Sequence, residues 1–195
     1  MFQRFVARTF STSATPEAYP AGMKALHWGM ATGILGCVIS VKAAQYHGKE
    51  EFKKDPEHQK NIGYWMKMHK SFGLTMAALI LPRIFLRRAS RLPAALPGPG
   101  WQTAAASANH YLLYFLITFL PTTGVLMGIF GGRGIPFFNF GTIPGVKKPV
   151  KAIAGNSYKT HKWAGKALQY VVPFHMGAVG YHRVVEGKNI LTRIL

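Results

Sequence analysis

The chain has 195 residues, of which 49% are hydrophobic and 15% charged, and its 24 Lys and Arg against 6 Asp and Glu give a formal net charge of +18. Such an excess usually serves a nucleic acid or a membrane surface. The basic residues here flank long apolar runs, which excludes nucleic acid as the partner. The one cysteine, Cys37, excludes an internal disulfide and a thiolate metal cage, and we expect it to be a small buried helix residue.

The first 20 residues, MFQRFVARTFSTSATPEAYP, combine Arg4 and Arg8 with Phe, Ser and Thr and contain no acid before Glu17. This composition is typical of a mitochondrial transit peptide. We therefore expect residues 1–20 to be a transit peptide and flexible leader, cut near Ser11, and residues 21–195 to form the functional domain. The alternative is a short disordered tail that is basic by chance.

Four apolar segments follow the leader, and each is long enough to cross a bilayer as a helix, which takes about 20 residues. They are residues 23–46, 66–86, 107–130 and 158–185. Few charges lie inside them, and none has the polar stripe that a helix of a soluble bundle carries. The sequence predicts an all-α protein, a four-helix transmembrane bundle.

The connections between these segments differ in character. Residues 47–65 hold all the acids except Glu17 and Glu186, which predicts a hydrated loop with His47 and His58 in solvent. Residues 87–104 are rich in proline and glycine and are expected to be non-helical. Residues 131–157 alternate aromatic and basic groups, which suits a segment at the membrane interface. Ten of the 24 basic residues fall on the side of the N-terminus, so charge counting leaves the orientation open.

Two histidines of the last segment, His161 and His175, are 14 residues apart, which places them on one helix face about 21 Å apart. Antiparallel crossing puts His69 level with His161, and His27 level with His175. Ionisable residues inside a membrane span face the bundle interior and mark function. Two separated histidine pairs suit haem iron, with one imidazole at each axial position, better than zinc, which takes three or four clustered ligands.

The four histidines stand beside three further blocks: PRIFLRR, WQTAAASANHYLLYFLITFLPTTGVLMG and YHRVVEGKNILTRIL. With them the chain resembles the bacterial-type cytochrome b561 family, four-helix di-haem proteins of energy-transducing membranes, over nearly all of residues 23–195. The resemblance implies that His27, His69, His161 and His175 are axial ligands of two haem b groups and that ubiquinone accepts the electrons. The leader and the basic insert at 147–151 depart from bacterial members, which favours the mitochondrial inner membrane with the N-terminus in the matrix.

Three other residues are candidates for contacts with the cofactor or substrate. Arg83 lies 14 residues after His69, at the expected depth of His27 and His175, and suits either a haem propionate or an interfacial, snorkelling role. His110 and His182 are expected near the same end of the bundle. Each could contact a propionate or a quinone head group, or be a plain interfacial histidine.

Eight lysines are expected around the opening of the His69/His161 pair: Lys67, Lys70, Lys147, Lys148, Lys151, Lys159, Lys162 and Lys166. They would attract an anion, and similar family members oxidise superoxide and pass its electron to ubiquinone. Binding of anionic membrane lipid such as cardiolipin explains the lysines equally well.

The sequence therefore predicts a cytochrome of the mitochondrial inner membrane that transfers electrons to ubiquinone, with superoxide as a candidate donor. The rival interpretation is an accessory subunit of a respiratory-chain complex, with haems that are structural or off the electron path. Its docking surface would be the exposed aromatic residues of the basic insert, Phe137, Phe138 and Phe140.

Overall fold

The computed structural model describes residues 17–195, so Ser11 and most of the predicted leader lie outside the described residues. Four long helices account for most of the described chain: α1 Ala21–His47, α2 Pro56–Ala89, α3 Gly100–Phe130 and α4 Lys151–Val184. The prediction of a mostly helical chain with four helices is confirmed. By length and composition, two of them, α1 and α3, are apolar enough to cross a membrane.

Two helices begin earlier than the sequence predicts, so the expected loop at 47–65 is largely wrong. Helix α2 begins at Pro56, where proline presets the first helical φ and the Asp55 carboxylate caps the helix by accepting the Glu57 N–H at 2.8 Å. Helix α4 begins at Lys151. The apolar pattern marks only the part of each helix that suits lipid, whereas the backbone remains helical beyond it.

The helices pack as two antiparallel hairpins, α1 against α2 and α3 against α4, joined by contacts between α2 and α3. Met30, Met76 and Ile80 form the core of the first hairpin. Gly36 allows the close approach, because a Cβ there would lie 2.9 Å from the Phe72 ring. Within residues 17–195, α4 makes no comparable packing with α1 or α2. A space therefore separates the two hairpins along α4.

A short antiparallel β-hairpin, β1 Ile135–Phe137 and β2 Gly141–Ile143, lies on the end of α2 that carries His69. Ser71, which is fully buried, accepts the Phe138 N–H at 2.7 Å and donates to the Lys67 carbonyl at 2.8 Å. The Phe138 ring also meets the Phe72 ring edge-on at 5.6 Å. Phe137 and Phe138 are consequently half-buried, contrary to the expectation of three exposed aromatics, while Phe140 is 85% exposed.

The last residues tie the other end of the bundle together. A 3-10 turn at Ile190–Arg193 lies against the start of α1, where the Trp28 indole N–H donates to the Ile194 carbonyl at 3.0 Å. Arg193 also donates to the Ala94 carbonyl at 2.8 Å, which fixes the connection between α2 and α3. The end of α4, the start of α1 and this connection therefore form one closed layer.

Candidate functional site

His69 of α2 and His161 of α4 face each other across the space between the hairpins. Their ring centroids are 6.1 Å apart and the rings are nearly perpendicular, at 88°. His69 Nδ1 lies 2.9 Å from the Cys37 carbonyl oxygen of α1, and His161 Nδ1 lies 3.0 Å from the Leu120 carbonyl oxygen of α3. Both rings are half-buried.

These contacts fix the tautomer of both rings. A carbonyl oxygen can only accept, so the proton must be on Nδ1 in each ring. Thr123 agrees with this assignment at His161, because its hydroxyl lies 3.0 Å from Nδ1 while its own proton is donated to the Phe119 carbonyl at 2.9 Å. The Nε2 lone pair of each histidine is therefore available as a metal ligand.

His27 of α1 and His175 of α4 form a second pair towards the other end of the bundle, with centroids 6.3 Å apart and rings inclined at 53°. The Asn109 amide of α3 presents Nδ2 to His175 Nδ1 at 3.1 Å. Rotating this amide by half a turn keeps its shape and presents Oδ1 instead. In that orientation Nδ1–H donates to Asn109, as a metal-bound imidazole requires.

Both pairs have the separation that one metal ion between two imidazoles needs. An imidazole nitrogen binds a metal at about 2.0–2.1 Å, and its ring centroid lies about 1.1 Å behind it, so the centroids should be about 6.2–6.4 Å apart. The observed separations are 6.1 and 6.3 Å. Within residues 17–195, no group of three or more His, Cys, Asp or Glu side chains could hold a metal ion. The donor set thus fits an ion with two axial imidazoles and the rest of its ligands from a macrocycle.

Glycines beside two of the histidines leave room for such a macrocycle. Gly73 and Gly165 follow His69 and His161 by four residues, which puts each on the histidine's side of its helix, about 40° away. A Cβ on Gly73 would meet nothing within 4 Å, and one on Gly165 would only reach Leu120 at 4.0 Å. Of the other helical glycines considered from sequence, Gly33 and Gly36 serve α1–α2 packing, and Gly29, Gly177 and Gly180 lie on faces away from the histidines.

Arg83 reaches the His27 end of the bundle, at the depth expected from its spacing. Its Nη1 donates to the Met23 carbonyl, one turn before His27, at 2.7 Å, and its Nε donates to the Tyr114 hydroxyl at 3.3 Å. These bonds use two of the five guanidinium N–H groups. The half-buried guanidinium therefore links α1, α2 and α3 beside the His27/His175 pair.

His110 and His182 occupy different surroundings. The His110 ring meets the His175 ring edge-on at 5.5 Å, and its Nδ1 donates to the Ala106 carbonyl at 2.8 Å, so it lies directly beside the second pair. His182 Nδ1 instead lies 3.0 Å from the Glu186 carboxylate. The structure thus places His182 in an ion-pair group at the end of α4.

The lysines at the His69/His161 end are mostly exposed. Lys67 donates to the Asn139 side chain of the β-hairpin at 2.9 Å, and Lys166 lies 4.6 Å from the centroid of the Trp163 ring. Lys70 is half-buried. The remaining five are exposed around the β-hairpin and the first turns of α4: Lys147, Lys148, Lys151, Lys159 and Lys162.

Two residues of α3 that the sequence analysis did not single out contact the histidines directly, namely Asn109 and Thr123. They are 14 residues apart, the spacing that also separates His161 from His175. Because α3 is antiparallel to α4, this spacing puts each at the level of one histidine pair. Two polar residues at the histidine period, in an otherwise apolar helix, were the signal that could have revealed them.

A helical bundle with apolar helices and two histidine pairs between its hairpins defines a class, the membrane cytochromes with bis-imidazole haem. Comparison with known proteins supports this class. The family model described as prokaryotic cytochrome b561 matches residues 18–195. The chain belongs to this family of membrane-embedded helical bundles, whose members bind haem b and transfer electrons.

Two proteins of Escherichia coli strain K12 are similar to the chain. Cytochrome b561 homolog 1 is 28% identical over 130 residues, which cover 65% of this chain and 72% of that protein. Cytochrome b561 homolog 2 is 26% identical over 194 residues, which cover 95% of both chains. The similarity to homolog 2 therefore extends through all four helices.

Proposed function

We propose that the chain is a di-haem b cytochrome that carries electrons across the mitochondrial inner membrane to ubiquinone, with superoxide as the donor. His27 and His175 hold one haem, and His69 and His161 hold the other. The observation that carries this proposal is the pair of centroid separations, 6.3 and 6.1 Å, at two depths of the same space between hairpins. Each is the separation of two imidazoles with a metal ion between them.

All four helices cross the membrane in this proposal. Helices α2 and α4 have more polar composition than α1 and α3 because their ends extend beyond the apolar segments. Their middle parts nevertheless present large apolar side chains outward, among them Leu81, 72% exposed, and Tyr170, 79% exposed. Apolar surface of this extent is unusual for a soluble monomer and suits contact with lipid.

Haem b supplies reversible one-electron chemistry, and the residues of the chain hold and orient it. The carbonyls of Cys37 and Leu120 keep the protons of His69 and His161 on Nδ1, which aims Nε2 into the space between the hairpins. Thr123 restrains the His161 ring, and Asn109 does the same for His175. Arg83 offers its remaining N–H groups to a propionate beside His27.

The donor side of the proposal is the lysine-rich end that carries His69 and His161. A cluster of exposed cations raises the encounter rate of a small anion, so a positive surface here suits superoxide. Two superoxide anions, two protons and one ubiquinone balance two dioxygen molecules and one ubiquinol. The same lysines also suit anionic lipid such as cardiolipin, and only the superoxide role requires electron transfer to depend on ionic strength.

The acceptor side is a groove of about 500 Å³ between α3 and α4, which has the size of a small-molecule site. Ala105, Ala108, Leu112, Tyr170 and Phe174 make it apolar, and Asn109 is its polar lining residue. Asn109 also contacts His175. A quinone ring in this groove would lie one side chain away from the proposed haem ligand, with its isoprenoid tail in lipid.

Filling the groove should weaken quinone use without affecting the haems. In Ala108→Phe we expect the KM for a short-chain ubiquinone to rise about tenfold, because the new ring occupies the space of the substrate. The measurement is steady-state quinone reduction by the purified holoprotein, with the haem spectrum recorded in parallel. Ala104→Phe, an exposed neighbour outside the groove, is the matched control. An unchanged KM in Ala108→Phe would remove the groove from the proposal.

The location in mitochondria rests on the composition of residues 1–20. The rival function, an accessory subunit of a respiratory complex, would use the exposed aromatics of the β-hairpin. Of these, Phe140 alone is well exposed, since Phe137 and Phe138 are half-buried and Phe138 packs on α2. The structure therefore gives this docking surface less support than the sequence did.

A further inference from the structure

Two histidines outside the proposed haem sites come together at the open end of the α1–α2 hairpin. His47 is the last residue of α1, and His58 lies in the first turn of α2. Their Nδ1 atoms are 3.0 Å apart and their ring centroids 4.8 Å apart. The sequence predicted that both rings would be in solvent, whereas both are half-buried in a stretch that is otherwise mostly exposed.

The distance between the two Nδ1 atoms is the one that a shared metal ion requires. Two nitrogen ligands at about 2.0–2.1 Å from one ion, in square-planar or tetrahedral geometry, are about 2.8–3.4 Å apart. Without a metal, one Nδ1–H donates to the other Nδ1, and an ion replaces that single proton. The two rings are therefore already at chelating distance.

The surroundings hold the His58 ring in this position. The Phe52 ring stacks on it, with centroids 4.0 Å apart and planes at 17°. An Asp55 oxygen lies 3.9 Å from His58 Nε2, on the ring side opposite the shared space. The other Asp55 oxygen accepts the Glu57 N–H at 2.8 Å, which fixes the carboxylate. A carboxylate behind a ligating imidazole is the common arrangement at metal sites, because it orients the ring and raises its basicity.

We propose that His47 and His58 bind a divalent transition-metal ion, of the Cu²⁺ or Zn²⁺ class, through their Nδ1 atoms. Imidazole is the preferred ligand of these ions, and with two protein ligands water completes the coordination. The connecting segment also has four of the six acids of the chain, which makes it the least positive part of a very basic protein. The acids are Glu50, Glu51, Asp55 and Glu57.

The bound ion joins the end of α1 to the start of α2 and so closes the hairpin that carries His27 and His69. His58 precedes His69 by 11 residues of α2, which is about 16 Å along the helix. The metal site and the proposed haem site are therefore separate, and neither depends on the other for its ligands.

The test uses the full-length protein in detergent, with Cu²⁺ and Zn²⁺ as probes. We expect one equivalent of Cu²⁺ whose electron paramagnetic resonance spectrum shows two nitrogen ligands, and competition for it by Zn²⁺ in calorimetry. His47→Gln and His58→Gln should each lower the affinity for both ions at least about tenfold, as expected for loss of a ligand. The haem content of both variants should equal that of the wild type.

A matched pair of charge variants tests the carboxylate behind His58. Asp55→Asn keeps a helix-capping side chain but removes the charge, and should weaken Zn²⁺ binding about tenfold. Glu57→Gln removes an equal charge from an exposed neighbour and should leave the affinity unchanged. If Cu²⁺ and Zn²⁺ bind with wild-type affinity to His47→Gln and His58→Gln, or do not bind at all, the Nδ1–Nδ1 contact is a hydrogen bond only and the proposal is wrong.

Discussion

Single side chains of the histidine pairs differ in how they are held. His69 and His161 donate Nδ1–H to backbone carbonyls, whose positions are set by helices α1 and α3. His175 depends on a side chain, Asn109, which can rotate. A backbone acceptor cannot be removed by substitution, so the orientation of the first pair should be more robust to mutation than that of the second.

The histidine pairs are the part of the site that sequence alone could predict. Helix period and antiparallel crossing are enough to place His161 with His69 and His175 with His27, and the structure brings these side chains together. Their role as ligands stays a prediction. The hydrogen-bond partners were harder to foresee, because Cys37 and Leu120 act through backbone oxygens, which carry no sequence signal.

Glu186 gives a residue-scale prediction outside the membrane helices. Lys188 first, at 2.9 Å, and then His182, at 3.0 Å, stabilise the Glu186 carboxylate and lower its pKa from 4.5 to about 2. Gln102 of α3 also donates to this carboxylate. A lowered pKa means that the stabilisation is complete above pH 4.5 and is lost as the pH falls through about 2.

The variant Glu186→Gln should therefore unfold at a lower temperature than the wild type at neutral pH, and this difference should shrink between pH 4.5 and pH 2. Thermal unfolding in detergent across this pH range measures it. Glu51→Gln, which removes an exposed carboxylate at the other end of the molecule, controls for a general effect of charge. A difference that does not vary with pH would contradict the role given to Glu186.

At the scale of elements, the number of helices was predictable but their ends were not. Apolar runs revealed α1 to α4, yet α2 extends back to Pro56 through a polar stretch that the sequence analysis assigned to a loop. Asp55 followed by Pro56 is a helix-start signal that could have corrected this. The β-hairpin depends on Ser71, a residue of another element, so no local pattern announced it.

The leader is the element that decides the proposed location. Residues 1–20 fused to a fluorescent protein should be imported into isolated mitochondria in a potential-dependent manner, because the segment is basic and free of acids before Glu17. Arg4→Glu with Arg8→Glu reverses that charge and should abolish import. Import that is equal for both fusions would contradict a targeting role.

At the scale of the whole molecule, two helical hairpins hold facing side chains across a space that neither fills. Extensive packing occurs within each hairpin, while α4 approaches α1 and α2 mainly through the histidine pairs. Family membership makes haem b the expected occupant of this space. The basic surface lies at the His69/His161 end and the apolar groove at the His27/His175 end, so the proposed donor and acceptor are on opposite sides.

The central claim is that paired imidazoles at two depths each hold a haem, and counting haem per chain tests it most directly. The purified protein should contain two haem b groups by its pyridine haemochrome and its reduced-minus-oxidised spectrum. His161→Ala should contain one, with the remaining spectrum assigned to the His27/His175 pair. A colourless wild-type protein, a single haem per chain, or loss of all haem in His161→Ala would contradict the account.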